Sequence, residues 1–155
     1  YMNDNLSKIE FKPYVEELSA FLIKSVAGSD HNIDLKIDIP NIKLGIDTAI
    51  PLGLLINETI TNSLKYGFKD KDEGLINIEL RKEENGDDDY LLTISDNGVG
   101  FSDEVNSKSS KSLGLKLIHN LARQLQGSAM KDETKQGTAY VIKFKDIPQT
   151  LSPVA

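Results

Sequence analysis

Residues 52–66 read LGLLINETITNSLKY, and this stretch decides the fold that the rest of the sequence predicts. Apolar residues recur in it every four positions, which predicts a helix with one apolar stripe packed on a core. The stripe consists of Leu52, Ile56, Ile60 and Leu64. Four polar side chains fall on roughly the opposite helical face, namely Glu58, Asn62, Lys65 and Tyr66. Two different faces on one helix predict that the rest of the chain packs around it.

The polar face carries a carboxylate, a carboxamide, an ammonium group and a phenol in a row. This set suits a magnesium triphosphate, because Mg²⁺ takes oxygen ligands and a cationic side chain offsets phosphate charge. Considered alone, however, the pattern favours an ordinary amphipathic helix with a solvated polar face. The other motifs of the chain therefore decide between the two interpretations.

The composition excludes several classes of function. The 155 residues are 39% hydrophobic and 27% charged, as expected of one globular domain. The net charge of −6 and the lack of a long basic stripe argue against broad nucleic-acid binding. Absence of cysteine excludes disulfides, thiolate catalysis and cysteine-ligated zinc. Neither a signal peptide nor a long apolar run is visible, so no membrane span is predicted. The lack of cysteine is compatible with a cytoplasmic location.

The order of the predicted elements indicates an α/β two-layer sandwich, with a mixed sheet of about five strands and about three helices on one face. Helices are predicted over residues 11–26, 52–66 and 113–126, and strands over residues 32–39, 42–46, 75–81, 90–96, 128–133 and 138–145. Asn85-Gly86 is expected to form a hairpin turn.

Several details of the helices are predicted from capping and periodicity. Asp47 or Thr48 should cap the main helix, with Pro51 in its first turn. Gly28, Gly67 and Gly127 should each end a helix. The first helix is predicted from the helical spacing of Phe11, Tyr14, Val15, Leu18, Phe21 and Leu22, and the last should turn Leu117, Ile118, Leu121 and Leu125 inward.

Residues 96–100, DNGVG, directly follow a predicted strand. Asn-Gly is typical of a hairpin turn, yet a polar loop follows here in place of an alternating strand. Asp96 shares the face of Leu92 and Ile94, so its carboxylate should point inward and needs a hydrogen-bond donor. An adenine amino group would be one, and the glycines would let the backbone pass close to a flat ligand.

Two shorter motifs carry little information by themselves. Residues 112–115, SLGL, open the last helix, whose free N–H groups could bind phosphate. A serine cap beside a packing glycine explains them equally simply. Gly137-Thr138 enters the last strand, where such a pair usually forms a turn. Residues 101–112 are polar and aperiodic, which is typical of a lid or a disordered segment.

Taken together, these motifs have a known counterpart. They are Asn57-Glu58-x-x-x-Asn62-x-x-Lys65-Tyr66, Asp96-x-Gly98-x-Gly100, Ser112-Leu113-Gly114-Leu115 and Gly137-Thr138. The set resembles the N box, G1 box, G2 box and final Gly-Thr of the ATP-binding catalytic domain of sensor histidine kinases, which has the GHKL or Bergerat fold. The resemblance extends from about residue 10 to residue 146, and the sequence is most similar to the branch with the second type (HisKA_2-like) of phosphoacceptor domain.

The resemblance implies a role for each matching residue. Asn62 would bind the Mg²⁺ that bridges the ATP phosphates, and Glu58 would act beside it as a metal-site and catalytic residue, where gyrase-like ATPases carry a water-activating Glu. Lys65 would contact phosphate, and Tyr66 would pack along the nucleotide. The adenine end would be formed by Asp96, which reads the amino group with a water near Thr138, and by Gly98 and Gly100. Residues 101–112 would form the ATP lid, and Gly114 and Leu115 would line the phosphate side.

The resemblance also implies an organisation and partners. Residues 1–10 would be a linker or the end of a preceding dimerisation helix, residues 11–147 the catalytic domain and residues 148–155 a tail. Because the chain begins at Tyr1, we expect a fragment of a longer, homodimeric parent, with attachment of that parent to a membrane left open. The implied partners are ATP, Mg²⁺, the phosphoacceptor domain and a response regulator, without nucleic-acid or membrane contact by this domain.

The sequence departs from the family in two respects. Ser112 stands where many relatives have glycine, and the phosphate-accepting histidine is absent, since His31 and His119 are expected at the surface. The expected reaction is transfer of the ATP γ-phosphoryl group to a histidine on a separate domain, with Glu58 as a hypothetical base. Two alternatives stay open: a GHKL-type ATPase or serine-kinase regulator, and a nucleotide-sensing interaction module without phosphotransfer.

Overall fold

The computed structural model describes residues 8–68, 73–84, 89–99, 110–132 and 137–146, with the backbone alone for residues 110–113. The helices in these ranges are α1 (Phe11–Ala27), α2 (Ile46–Asn62) and α3 (Ser110–Gln124), and α2 continues directly into a π-helical turn (Ser63–Gly67). The strands are β1 (Lys8–Glu10), β2 (Ile33–Asp38), β3 (Lys43–Gly45), β4 (Gly74–Lys82), β5 (Asp89–Asp96), β6 (Ser128–Lys131) and β7 (Thr138–Lys145).

The main sheet has five strands in the order β2-β4-β5-β7-β6, and the three helices cover one of its faces. β2 and β4 run parallel, and the other neighbouring pairs are antiparallel. This confirms the predicted two-layer sandwich with a mixed sheet. Asn85-Gly86, the predicted hairpin turn between β4 and β5, lies outside the described residues.

A second, two-stranded sheet joins β1 to β3 in antiparallel register, with Ile9 opposite Leu44. Residues 8–10, where a linker or helix end was expected, form a short strand in this structure. Ile9 packs against the hydrophobic core and Leu44 is fully buried, so the short strand is held by burial rather than by its own sequence pattern. Residues 1–7 lie outside the described part of the chain, as do residues 147–155.

The inward face of the sheet is built from rows of residues that lie side by side across β4, β5 and β7. One row consists of Leu80, Leu92 and Ile142, and the next of Ile78, Ile94 and Tyr140. The last row consists of Ile76, Asp96 and Thr138. All nine residues are buried, because alternate residues of a strand share one face. The sheet therefore places one carboxylate and one hydroxyl side by side at the end of an apolar surface.

Helix α1 packs against α2 through Tyr14 and Gly53. A Cβ atom on Gly53 would lie 2.9 Å from Tyr14 Cζ, so the phenol ring occupies space that only glycine leaves open. Burial raises the pKa of the Tyr14 phenol above its ordinary value. Phe21 belongs to the apolar spacing that predicts α1 but is 67% exposed, because the buried face of the helix runs through Val15 and Leu22.

The main helix begins earlier than the sequence predicts. It starts at Ile46 with Gly45 as the N-cap residue and without a side-chain cap hydrogen bond. Asp47 lies inside the first turn, where its negative charge suits the positive end of the helix dipole. Pro51 lies beyond the first turn, within the helix. The predicted caps were therefore wrong, because the helix follows β3 without a separate turn.

Helix α3 begins at Ser110, so residues 110–112, which were predicted as part of the lid, form helix instead, and Ser112 is not the N-cap. The first turn has no apolar periodicity, which is the signal on which the predicted start depended. The helix ends at Gln124, and Gln126, rather than Gly127, has a positive φ of 57°. Leu117 is 42% exposed, against prediction, whereas Ile118, Leu121 and Leu125 are buried.

In the part of the chain that the structure describes, no helix combines the length and apolar character needed to cross a membrane.

Candidate functional site

The Asp96 carboxylate lies at the end of β5 and is only 4% exposed. Its Oδ1 accepts hydrogen bonds from the backbone N–H groups of Gly98 at 2.8 Å and Thr138 at 3.2 Å. Its Oδ2 accepts a hydrogen bond from the Ser63 hydroxyl at 2.5 Å. Three donors thus stabilise a carboxylate that burial alone would make unfavourable. The prediction that Asp96 points inward and requires donors is confirmed.

Glycines bring the backbone close to this carboxylate. A Cβ atom on Gly98 would lie 2.5 Å from the carbonyl carbon of Gly67, and the Gly67 carbonyl oxygen accepts the Val99 N–H at 2.8 Å. Gly137 has a φ of 82°, and a Cβ atom there would lie 3.0 Å from Asp96 Oδ1. Side chains at these positions would therefore collide with the loop or with Asp96. The sequence predicted Gly98 at the site, whereas Gly100 lies outside the described residues.

The Thr138 hydroxyl is buried next to Asp96 and has no hydrogen-bond partner among the described residues. Its own backbone N–H is bonded to Asp96 Oδ1, so the hydroxyl belongs to the same polar group. A buried hydroxyl without a partner normally marks the place of a water or a ligand. This orphaned hydroxyl fits the water-mediated adenine contact that the family resemblance implies for Thr138.

Asn62 and Glu58 lie one helical turn apart on α2. Asn62 is 7% exposed, and the Glu58 side chain is half-buried. A Cβ atom on Gly114 of α3 would lie 2.9 Å from Glu58 Cδ, so the Glu58 carboxylate packs against the α3 backbone. At Glu58, the polar face of the main helix therefore lies against α3 rather than in open solvent. This excludes the interpretation of a fully solvated face.

The remaining predicted residues lie farther along the same two helices. Lys65 is exposed and Tyr66 half-buried, both in the π-helical turn. Leu115 is half-buried and packs against the hydrophobic core. Ser112 and Leu113 are helical in backbone. Within the described ranges, no group of three or more acidic or histidine side chains could hold a metal by itself.

Two residues of the site were missed by the sequence reasoning, Ser63 as a donor to Asp96 and Gly67 as the partner of the loop. A signal for Ser63 was present. It lies seven residues after Ile56 and three after Ile60, so it falls on the apolar face of the helix. A polar residue on an inward face requires a buried partner.

Neither histidine of the chain lies with these residues. His119 is exposed on α3, as expected. His31 is half-buried, and its Nδ1 accepts a hydrogen bond from the Ile33 N–H at 3.2 Å, next to the start of β2. His119 therefore lies at the surface as predicted, whereas His31 is partly covered.

Comparison with known sequences relates this site to a family. Residues 47–148 match the family described as histidine kinase-, DNA gyrase B-, and HSP90-like ATPase. Blue-light-activated histidine kinase 2 of Erythrobacter litoralis is 25% identical over 136 residues, which are 84% of this chain and 38% of that protein. The anti-sigma F factor of Clostridium beijerinckii is 32% identical over 100 residues, which are 64% of this chain and 61% of that protein. The chain thus spans well under half of the first relative.

Solved structures show the same fold. The histidine kinase domain of the Erythrobacter litoralis EL346 blue-light activated histidine kinase matches with a TM-score of 0.74 at 20% identity, over 89% of this chain and 62% of that one. The mycobacterial sensor histidine kinase MprB matches with a TM-score of 0.68 at 15% identity, over 92% of this chain and 99% of that one. The family match includes the main helix, the Asp96 loop, α3 and Thr138. The chain therefore belongs to the histidine kinase-, DNA gyrase B- and HSP90-like ATPase family and carries its ATP-binding fold.

Proposed function

We propose that this chain is the ATP-binding catalytic domain of a two-component sensor histidine kinase, which transfers the ATP γ-phosphoryl group to a histidine on a separate phosphoacceptor domain. The observation that carries the proposal is the buried Asp96 carboxylate beside the orphaned Thr138 hydroxyl. Among residues described by the structure, this pair offers both a charged acceptor and an unsatisfied hydroxyl, which is what an adenine amino group and a bridging water need.

At the adenine end, Asp96 would accept the exocyclic amino group, and Gly98 and Gly100 would let the purine ring lie against the backbone. The close packing of Gly98 on Gly67 supports this role, because a side chain there would shift the loop. Specificity for adenine follows from the chemistry, since a buried acceptor rejects a base that presents no donor to it.

At the phosphate end, Asn62 and Glu58 would hold Mg²⁺. Both supply the oxygen ligands that Mg²⁺ prefers, and Mg²⁺ commonly takes only one or two protein ligands together with phosphate oxygens and water. When bound, the ion would neutralise phosphate charge during transfer. Lys65 and Tyr66 would contact the phosphates and the nucleotide, and Gly114 and Leu115 would line the phosphate side beneath the lid.

In the transfer step, an imidazole nitrogen of the acceptor histidine would form a bond to the γ-phosphorus while the bond to the bridging β,γ-oxygen breaks and ADP leaves. Glu58 would accept the proton that the imidazole releases. Such a reaction depends mainly on positioning and charge neutralisation. The half-buried place of Glu58 against Gly114 supports a fixed rather than a freely solvated carboxylate.

The partners follow from the reaction. The domain would act on the phosphoacceptor domain of a homodimeric, cytoplasmically exposed parent, and the phosphoryl group would pass on to a response regulator. The match to a blue-light-activated histidine kinase over 84% of this chain supports this assignment.

A second function is favoured by one observation, the 32% identity to an anti-sigma F factor over 64% of this chain. On this alternative, the same ATP site would serve a serine-kinase regulator or an ATPase. The two functions share the nucleotide site and differ in the phosphate acceptor.

The experiment must therefore determine which residue accepts the phosphoryl group. The complete gene product that contains this chain should be incubated with ATP labelled at the γ-phosphorus, and the labelled protein treated with acid and with base. Phosphohistidine is lost in acid and survives base, whereas phosphoserine does the reverse. Base-stable, acid-labile label supports the histidine kinase, base-labile label supports the serine kinase, and release of free phosphate alone supports an ATPase.

A further inference from the structure

The two oxygens of the Asp96 carboxylate have different surroundings. Oδ1 accepts two backbone N–H groups, from Gly98 and Thr138, whereas Oδ2 accepts one donor among the described residues, the Ser63 hydroxyl. A carboxylate oxygen can accept about two hydrogen bonds. Oδ1 is thus fully used, and Oδ2 has capacity for one more donor.

A glycine lies directly beside Oδ2, where a side chain would crowd the carboxylate. A Cβ atom on Gly67 would lie 3.2 Å from Asp96 Oδ2 and 3.4 Å from Oδ1. Gly67 ends the π-helical turn that begins at Ser63, so one turn supplies both the donor to Oδ2 and the glycine that lies beside it. Widened helical turns of this kind often occur at functional sites.

We propose that Ser63 is a positioning residue that fixes Asp96 Oδ2 as the acceptor for the exocyclic amino group of the bound purine, and that it thereby sets the selectivity for adenine. The inference rests on the proposed nucleotide site and adds to it a residue and a selectivity. Ser63 acts through Asp96.

The physical reason is preorganisation. Two backbone donors on Oδ1 hold one end of the carboxylate, and the Ser63 hydroxyl at 2.5 Å from Oδ2 prevents rotation of the other end. A short hydrogen bond to an ionised carboxylate is among the stronger ones in proteins. The free lone pair of Oδ2 then keeps one direction before the ligand arrives, so less ordering is needed on binding.

A purely structural role for Ser63 gives a different expectation. If the hydroxyl only stabilised the buried charge, its loss would lower the stability of the domain. It would also weaken the binding of every nucleotide to the same extent. If the hydroxyl positions Oδ2, its loss weakens the binding only of ligands that donate a hydrogen bond to Oδ2. The comparison of ADP with purine riboside diphosphate, which lacks the amino group, separates the two.

The test is calorimetric titration of the chain with ADP and with purine riboside diphosphate. Wild-type protein should prefer ADP. Ser63→Ala should lower the affinity for ADP by about tenfold, which corresponds to the loss of one hydrogen bond to a charged group. The affinity for purine riboside diphosphate should change by less than about twofold. The matched control is Ser19→Ala, which removes an equally buried hydroxyl that has no partner among the described residues, and should change neither affinity.

Two further variants of similar shape test the same role of the hydroxyl if Ser63→Ala fails to fold. Ser63→Thr keeps the hydroxyl and Ser63→Val replaces it by a methyl group of similar volume, so Thr should retain the selectivity for ADP and Val should lose it. Equal weakening of both nucleotides, or no change in selectivity, would overturn the role of Ser63 while leaving the ATP site intact. Wild-type protein that binds neither nucleotide would overturn the nucleotide site itself.

Discussion

The carboxylate of Glu58 on α2 packs directly against the backbone of Gly114 on α3. A Cβ atom at position 114 would lie 2.9 Å from Glu58 Cδ and 3.3 Å from Glu58 Cγ, closer than carbon atoms can approach without movement. The contact joins the helix that carries the proposed metal and base residues to the helix that follows the lid segment. Glycine at 114 is therefore required by the position of Glu58.

Gly114→Ala is expected to displace the Glu58 side chain. Displacing the flexible carboxylate costs some free energy, and the preference of a helix for alanine over glycine, about 1 kcal/mol, offsets that cost, so the melting temperature should change little. Phosphoryl transfer by the complete gene product should fall, because the base has moved. The measurement is a double-mutant cycle with Glu58→Gln: losses that simply add would show that Gly114 acts independently of Glu58.

Glu58→Gln should leave nucleotide affinity within about threefold and lower the transfer rate by a factor of about 10² to 10⁴, the usual contribution of a general base. Affinity is measured by calorimetry and transfer with γ-labelled ATP. A transfer rate equal to that of the wild type would show that Glu58 is not the base.

Asn62→Ala should remove the gain in nucleotide affinity that Mg²⁺ provides, since the carboxamide is the proposed ligand of the ion. Titration with a non-hydrolysable ATP analogue, with and without Mg²⁺, measures this gain. Asn57→Ala is the matched control, because Asn57 lies on the same helix and its carboxamide oxygen accepts the Thr61 hydroxyl at 3.3 Å. Loss of the Mg²⁺ effect in both variants, or in neither, would contradict the assignment.

Gly98→Ala should destabilise the domain by about 1–3 kcal/mol and weaken nucleotide binding, because the new methyl group overlaps the Gly67 carbonyl. Gly28→Ala is the control: Gly28 has a φ of 91° and no other group within 4 Å of a Cβ atom, so only backbone strain is added. That variant should lose about 1–3 kcal/mol of stability and no affinity. Urea unfolding and calorimetry measure the two quantities.

Gln126→Gly should stabilise the chain by about 1 kcal/mol, since Gln126 has a φ of 57° after α3 and glycine adopts this conformation without a Cβ penalty. Gln124→Gly, inside the end of the same helix, should destabilise by a similar amount. Nucleotide affinity should stay unchanged in both. A less stable Gln126→Gly variant would show that its side chain contributes more than its backbone strain costs.

The inward direction of Asp96 could be predicted from sequence because alternation along a strand fixes which face each residue occupies. The same holds for the apolar stripe of the main helix, where the period is regular. A buried partner for Ser63 could be expected from its place on the apolar face, but not that this partner is Asp96, which lies 33 residues away along the chain. The start of α3 at Ser110 was missed because its first turn is polar and carries no periodic signal.

The most direct test of the nucleotide site is calorimetric titration of Asp96→Asn with a non-hydrolysable ATP analogue, with and without Mg²⁺. The carboxamide oxygen can still accept the N–H groups of Gly98 and Thr138, but the carboxamide nitrogen then replaces Oδ2. A donor would therefore face the purine amino group where an acceptor is needed. Asp89→Asn, at the other end of β5 where the carboxylate pairs with Lys145 at 3.2 Å, is the matched control. We predict saturable binding by wild type and Asp89→Asn and none by Asp96→Asn; equal binding by all three, or binding by none, would contradict the assignment of the ATP site.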